Sequence, residues 1–352
     1  MKPSDITPAM IAEACKVDEG RLWRIAERTE SQYHSPRPKL IKGRHREIDP
    51  PNHDFKKVLR RLHRYLQRSL TFPRCVHGGL RGRSCVTAAG NHVGRKYIVT
   101  RDVKDCYPSI PTEALRRRLI DEGFRSDTAL LLSRLMTNRG VIPHGAPVSG
   151  DALNLFLADS DRRLDHCVRR RGGSYTRSAD DMVVSVGARE SVTPLARVIE
   201  DEIEGHGLRV SEHKRRQKGV QHSNTRGGPR VHNLLVNNRR GVGAVPEHRA
   251  KGLRLAESYV CGARSVRPET LEGLASRRAE LVGMINYFRQ LRFSPARHLA
   301  RLLRQGDRLV RSRLSTVGVS LTAKWWVNSR KRNRPREIGD RWRLKSDNSP
   351  AA

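Results

Sequence analysis

Two adjacent aspartates, Asp180 and Asp181, stand between two β-rich runs in the stretch Gly173-Ser-Tyr-Thr-Arg-Ser-Ala-Asp-Asp-Met-Val-Val-Ser-Val186. A regular strand sends neighbouring side chains to opposite faces. Two consecutive carboxylates can therefore serve one site only at a hairpin turn, where the alternation breaks. A third carboxylate, Asp102, ends a similar run, Lys96-Tyr-Ile-Val-Thr-Arg-Asp102. Three acidic groups at strand ends suit a magnesium cage that faces a phosphate-bearing substrate. The plain alternative is three ordinary turn aspartates.

The rest of the chain carries the opposite charge. Its 352 residues include 70 Lys or Arg against 36 Asp or Glu, a formal net charge of +34. The excess runs along the whole length, which points to a polyanion whose phosphates release counterions when neutralised. A merely basic soluble protein and a protein of an anionic membrane surface are the rival readings. No apolar run reaches the roughly 18 residues of a spanning helix. The opening Met1-Lys-Pro-Ser-Asp5 carries no apolar signal segment. The expected location is the cytoplasm, with no membrane partner. Six cysteines (Cys15, Cys75, Cys85, Cys106, Cys167 and Cys261) form no Cys-x-x-Cys pair, so reduced thiols are expected and zinc spacing is missing.

Apolar spacing predicts helices over 6–30, 53–70, 112–122, 127–136, 151–168 and 192–205, and an all-helical pattern beyond Pro246. Between the first two helices lies a Pro-rich basic connection, Ser35-Pro-Arg-Pro-Lys39. Residues 229–237 read as a further strand. The coarse expectation is a mixed α+β body followed by a helical lobe.

Taken in order, several phrases resemble those of retron-type reverse transcriptases, bacterial relatives of group II intron enzymes. Arg101-Asp-Val-Lys-Asp-Cys-Tyr-Pro-Ser-Ile110 is similar to the first palm motif, usually Asp-Ile-Lys-Asp-Phe-Phe-Pro-Ser-Ile. His144-Gly-Ala-Pro-Val-Ser149 resembles the Gln-Gly-Ala-Pro-Thr-Ser loop, and Ser178-Ala-Asp-Asp181 stands where Tyr-Ala-Asp-Asp is expected. Gly207-Leu-Arg-Val-Ser-Glu-His-Lys214 resembles the motif that follows, and His45-Arg-Glu-Ile-Asp-Pro50 the fingers phrase Arg-x-Ile-x-x-Pro. Leu281-Val-Gly-Met-Ile-Asn-Tyr287 and Ser294-Pro-Ala-Arg297 resemble the thumb segment. The resemblance runs over residues 20–305. Departures are Ser178 for an aromatic residue, His144 for Gln, Gly150 for Pro, Val231-His-Asn233 for Val-Thr-Gly, and Ala88-Ala-Gly-Asn-His92 for Asn-Ala-x-x-His.

The resemblance implies an α+β right-hand polymerase with fingers, an antiparallel-sheet palm and a helical thumb. The expected domains are an N-terminal helical segment (1–30), fingers and palm (31–243), thumb (244–320) and a basic Trp-containing tail (321–352). It implies RNA-directed DNA synthesis with two Mg2+ ions, bridged by Asp102 and Asp180, with Asp181 and the carbonyl of Val103 completing the cage. Tyr107 falls on the steric-gate position, or is a core tyrosine. Arg46 is the candidate for gripping the incoming triphosphate, since a guanidinium binds phosphate oxygens bidentately. His144, Gly145 and Ser149 would form the loop beneath the nascent base pair, and Lys214 would act on the leaving pyrophosphate. Arg81 and Arg83, in a glycine-rich loop, are expected to contact template RNA. In the tail, Trp325, Trp326, Arg330, Lys331 and Arg332 place aromatic faces amid positive charge, which suits unpaired bases and phosphates. The implied partners are a structured non-coding RNA template, its DNA product, deoxynucleoside triphosphates and an effector protein of antiphage defence. The rival functions are a group II intron-like reverse transcriptase and a catalytically weak RNA-binding protein on the same scaffold.

Overall fold

The structure is a computed structural model that describes residues 1–41, 44–212, 220–224, 227–237 and 241–316. The chain divides into two compact units at Val242–Gly243.

In the first unit the single helix expected over 6–30 is two helices. Lys16 takes a left-handed φ of 56° and ends α1 (Pro8–Cys15); Asp18 then caps α2 (Glu19–Glu27) by accepting from the Arg21 amide. The Pro-rich connection proves to be half of a hairpin, with β1 (Arg37–Ile41) antiparallel to β2 (Arg44–Ile48). Pro38 is tolerated because a two-stranded sheet always leaves an unpaired edge. The next helix, α3 (His53–Ser69), starts where Asn52 accepts from the Phe55 amide and buries Phe55, Val58, Leu59, Leu62 and Leu66. That spacing forms one apolar stripe along a helix of 3.6 residues per turn.

The central sheet follows α4 (Cys85–Gly90) and contains β3 (Tyr97–Asp102), β4 (Ser174–Ser178), β5 (Asp181–Val186) and β6 (Val220–His222). Its strand order is β4-β5-β3-β6, and every pairing is antiparallel. Between β3 and β4 the chain forms α5 (Thr112–Asp121), α6 (Ser126–Met136), α7 (Ser149–Phe156) and α8 (Ala158–Arg170). The helix expected over 151–168 is thus broken, at Leu157 (φ −99°, ψ 5°). α8 packs on β4, and α9 (Val192–Glu204) on β3 and β5. This covering explains the nearly continuous apolar run of β5, whose Met182, Val183, Val184 and Val186 are all buried. The strand expected over 229–237 is a short hairpin, β7 (Arg230–Val231) with β8 (Leu234–Leu235). His232 and Asn233 form its two-residue turn with φ of 49° and 65°, the sign pattern of a type I′ turn.

The second unit is helical, as expected: α10 (Pro246–Arg264), α11 (Leu271–Gln290) and α12 (Pro295–Ser315) pack on one another. Gly306 of α12 lets the Tyr259 ring of α10 approach so closely that a Cβ there would lie 2.5 Å from it. A polar cluster crosses this bundle. Tyr259 Oη donates to Asp307 Oδ1 at 2.5 Å, and Arg278 donates to both Asp307 oxygens at 2.9 and 3.0 Å.

No disulfide links the cysteines: Cys15, Cys75 and Cys106 are buried, and Cys85 and Cys261 are exposed. Burial pushes the Cys15 thiol up to about 11 and the Cys106 thiol up to about 12. Among the described residues no helix is long and apolar enough to cross a membrane.

Candidate active site

The hairpin inferred from the paired aspartates is present. Ser178 of β4 faces Asp181 of β5, which leaves Ala179 and Asp180 as a two-residue loop. Asp181 is also the direct partner of Asp102 across β3 and β5. Opposed residues of antiparallel strands carry Cβ atoms about 4.5–5.5 Å apart, so these two carboxylates share one sheet face. Asp180 is tied in through its backbone, whose carbonyl accepts from the Val103 amide at 3.2 Å. Asp102 is 4% exposed, and its own carbonyl accepts from the Ser211 amide at 2.7 Å. Asp102 and the adjacent pair Asp180–Asp181, far apart in sequence, thus meet at one end of the sheet.

The loop is strained. Ala179 has φ of 53°, a region that is unfavourable for an L residue by about 1–2 kcal/mol. Several buried groups hold it. Arg177 donates through Nη1 to the Ala179 carbonyl at 3.0 Å and to Asn154 Oδ1 at 3.1 Å. Its Nε and Nη2 grip the Asp161 carboxylate at 2.9 and 2.7 Å, and the Tyr175 hydroxyl donates to the same carboxylate at 2.9 Å. A strap of chain lies alongside: the His77 amide donates to the Arg177 carbonyl at 2.7 Å, and the Arg177 amide to the Cys75 carbonyl at 2.9 Å. At Gly78 the strap comes so near that a Cβ would lie 2.3 Å from the Ala179 nitrogen. Only glycine fits there.

A second group of predicted residues faces this turn. The rings of Tyr107 and His144 meet edge to face, 5.2 Å apart. Burial is the main cause that pushes the Tyr107 hydroxyl up to about 12, with the charges of Asp180 and Arg46 also acting on it. Burial, then the charge of Arg46, holds His144 below its usual range, while Asp49, Asp105 and Asp180 act in the other direction. Arg46, Tyr107, His144 and Asp180 are therefore electrostatic neighbours. The His144 carbonyl accepts from the Asp49 amide at 2.9 Å. Gly145 takes φ of 99° beside Ile48, where a Cβ would stand 2.7 Å from Ile48 Cγ2. The loop from His144 thus lies against the end of the β1–β2 hairpin.

Other predicted residues stand elsewhere. Arg81 is exposed. Arg83 instead donates its guanidinium to the carbonyls of Phe72, Pro73 and Val76 and so fixes its own loop. Lys214 and the tail residues Trp325, Trp326, Arg330, Lys331 and Arg332 lie outside the described residues. Sequence reasoning missed Arg177, Asn154 and Asp161 beneath the turn. It also missed the contact of His232, whose Nδ1 stands 3.7 Å from Asp181 Oδ2.

An all-oxygen donor set of three carboxylates has the chemistry of a hard divalent cation site. The cross-strand register of Asp102 and Asp181 fits such an ion. The side chains as placed do not close around one: among the described residues, no group of three or more His, Cys, Asp or Glu is arranged to hold a metal.

Among solved structures, the chain is similar to apo telomerase from Candida tropicalis, with TM-score 0.44 and 11% identity over 84% of this chain and 67% of that one. It is also similar to the foamy viral protease-reverse transcriptase in complex with double-stranded DNA, with TM-score 0.40 and 15% identity over 78% and 43%. Among curated proteins, it is 32% identical to the retron Mx65 reverse transcriptase of Myxococcus xanthus over 72% of this chain and 60% of that protein. It is 30% identical to the retron Mx162 reverse transcriptase of the same organism over 55% and 45%. The chain thus spans about half the length of these curated relatives. Residues 35–224, more than half of the chain, match the reverse transcriptase (RNA-dependent DNA polymerase) family. With its aspartate hairpin on a mixed sheet-and-helix body, the chain belongs to the reverse transcriptase family and, within it, to the retron type.

Proposed function

We propose that this chain synthesises DNA on an RNA template. The observation that carries the reading is the cross-strand pairing of Asp102 with Asp181, with Asp180 in the adjoining loop. Asp102, Asp180 and Asp181, with the carbonyl of Val103, would hold two magnesium ions. When bound, these supply the charge that activates a primer hydroxyl and neutralises the leaving pyrophosphate. Arg46 takes the triphosphate of the incoming nucleotide. The Tyr107 ring, backed by His144, crowds a ribose 2′-hydroxyl and so selects deoxynucleotides. Gly145 brings its backbone close to the nascent base pair, and Lys214 stabilises the departing pyrophosphate. Fingers and palm occupy 31–243, the thumb 244–320, and the tail from 321 grips RNA.

Similarity to retron reverse transcriptases supports a dedicated structured RNA as template, a DNA product joined to it, and work in the cytoplasm beside an antiphage effector. The test is primer extension by the purified protein on a primed RNA with deoxynucleotides and Mg2+. Template-dependent DNA that disappears in Asp180→Asn supports the proposal; no extension by the wild type refutes it. Sequencing the nucleic acid that co-purifies tests the template, and a covalently joined RNA–DNA species supports the retron assignment. One observation favours a second reading, a scaffold that binds RNA without copying it: Ser178 and His144 stand where the family carries an aromatic residue and a glutamine. That reading predicts tight RNA binding with no extension.

A further inference from the structure

Arg177 is the largest fully buried side chain among the described residues, and it stands two positions before the Ala179–Asp180 loop. Neither it nor Asp161 exposes any side-chain surface. A buried ion pair of this kind is a poor source of stability, because a well-packed apolar cluster serves as well or better. What it supplies is direction. The guanidinium is a rigid planar fork, and with Nε and Nη2 fixed on Asp161 its Nη1 has one place to point. That place is the Ala179 carbonyl, 3.0 Å away, in the one loop residue with a left-handed backbone.

Asn154 extends the arrangement. Its Oδ1 accepts from the same Nη1, while its Nδ2 donates to the Gly78 carbonyl at 2.9 Å, so one side chain ties the guanidinium to the strap on the other side of the turn. One helical turn earlier on α7, Asp151 is 1% exposed; it accepts from Gln67 Nε2 at 2.6 Å and contacts His63 Nδ1 at 2.6 Å. Both partners belong to α3. Buried polar contacts therefore run from α3 through α7 to the loop that bears Asp180.

We propose that Arg177 is a positioning residue for nucleotidyl transfer: aimed by Asp161 and Asn154, it holds the strained Ala179–Asp180 loop in register so that Asp180 keeps its place beside the Asp102–Asp181 pair. The proposal rests on the polymerase reading above. Arg177 touches no reacting atom; it acts through the Ala179 carbonyl.

Arg177→Gln alone is a poor test, since it leaves the Asp161 charge buried without its partner. The better variant replaces the ion pair and its tyrosine together, Tyr175→Phe, Asp161→Leu and Arg177→Met, because exchanging both charges for apolar groups of similar shape leaves no unpaired buried charge. Three readouts are taken against the wild type: kcat for single-nucleotide addition on saturating primed RNA, the Mg2+ concentration at half-maximal rate, and Mn2+ affinity without nucleic acid by water-proton relaxation. The folded triple variant is expected to lose at least tenfold in kcat, to need several-fold more Mg2+ and to bind Mn2+ several-fold more weakly. RNA affinity and melting temperature should stay near the wild type. Arg177→Lys keeps the charge but loses the fork and should fall between the two. A folded triple variant with wild-type kcat and metal affinity overturns the proposal. Should the triple variant not fold, Arg177→Lys decides on the same readouts, and unchanged values overturn it. Failure of the wild type itself to extend a primer would instead sink the polymerase reading, so the two failures are distinct.

Discussion

The sheet-bearing unit and the helical unit that begins at Gly243 are held together in different ways. The interior around the aspartate turn, although among the described residues it buries His77 Nε2 and His232 Nε2 without a hydrogen-bond partner, holds many polar groups bonded to one another. Arg177 and Asp161 are one example; His92 is another, set between Ser185 and Thr176 hydroxyls at 2.7 Å each. The helical unit buries leucines, alanines and aromatic rings along its seams, with glycine where helices come closest and polar contacts at Asp307 and between His248 and Tyr287. Apolar packing is non-directional and tolerates small shifts. Hydrogen-bonded forks and rings fix angles. Under the proposed function the sheet-bearing unit has to hold three carboxylates at set positions, and it uses the second kind of bond; the described helices of the other unit rely on the first.

The contrast breaks first at the carboxylates. Asp102→Asn or Asp180→Asn should lower the rate of DNA synthesis at least a thousandfold, about 4 kcal/mol in transition-state stabilisation. The melting temperature and RNA affinity should stay within error of the wild type. A variant that extends primed RNA at the wild-type rate removes the site assignment. In the helical unit, Gly306→Ala tests whether close apolar contact is what holds it. The added methyl must displace the Tyr259 ring, and overpacking of that kind destabilises by about 1–3 kcal/mol, partly offset by alanine's better helix propensity of about 1 kcal/mol. Denaturant unfolding should show a net loss, while an unchanged midpoint would mean that the seam yields freely.

Acid should separate the two units. Burial pushes the His92 imidazole down to about 3, below the unfolded value of about 6.5. The unfolded chain therefore takes up the proton first. The contribution of neutral His92 is fully present above about pH 6.5 and is lost as pH falls toward 3. At pH 5 the loss is about 2 kcal/mol, from 1.36 kcal/mol per pH unit. His77, pushed down to about 4 mainly by burial, acts with the same sign. Unfolding free energies at pH 7.5 and 5 should show the drop, and His92→Gln should flatten it by that amount. Equal pH dependence in the two proteins would show that His92 takes no part. The smallest effect sharpens the picture of the site itself. Tyr107→Val should raise ribonucleotide use relative to deoxynucleotide about tenfold, about 1.4 kcal/mol, read from the ratio of kcat/KM values. An unchanged ratio would assign Tyr107 to the core.

The aspartate turn was legible because it breaks a simple rule: two charged neighbours inside an alternating run have no regular strand to occupy. α3 was legible for the converse reason, five apolar residues on one stripe. The β1–β2 hairpin was hidden, since Pro38 and a row of Lys and Arg residues mask any alternation. The polar supports of the turn were hidden by distance. Asp161 and Asn154 precede Arg177 by 16 and 23 positions on two different helices, and nothing local in a sequence pairs a buried arginine with its acid. Arg83 misled for a related reason, because an arginine in a glycine-rich loop reads as a phosphate ligand whether it points outward or, as here, ties its own loop.

The scattered thiols give this chain a built-in pair of attachment points. Burial keeps Cys15, Cys75 and Cys106 protonated and covered, and a thiol in that state reacts slowly with maleimides. Cys85 and Cys261 are exposed, one in each unit. With Cys167, which is half-buried, replaced by serine, a donor and an acceptor fluorophore could be placed on the unaltered positions 85 and 261. Energy transfer between them would then record, molecule by molecule, whether the spacing of the two units changes when RNA, and then nucleotide, is added.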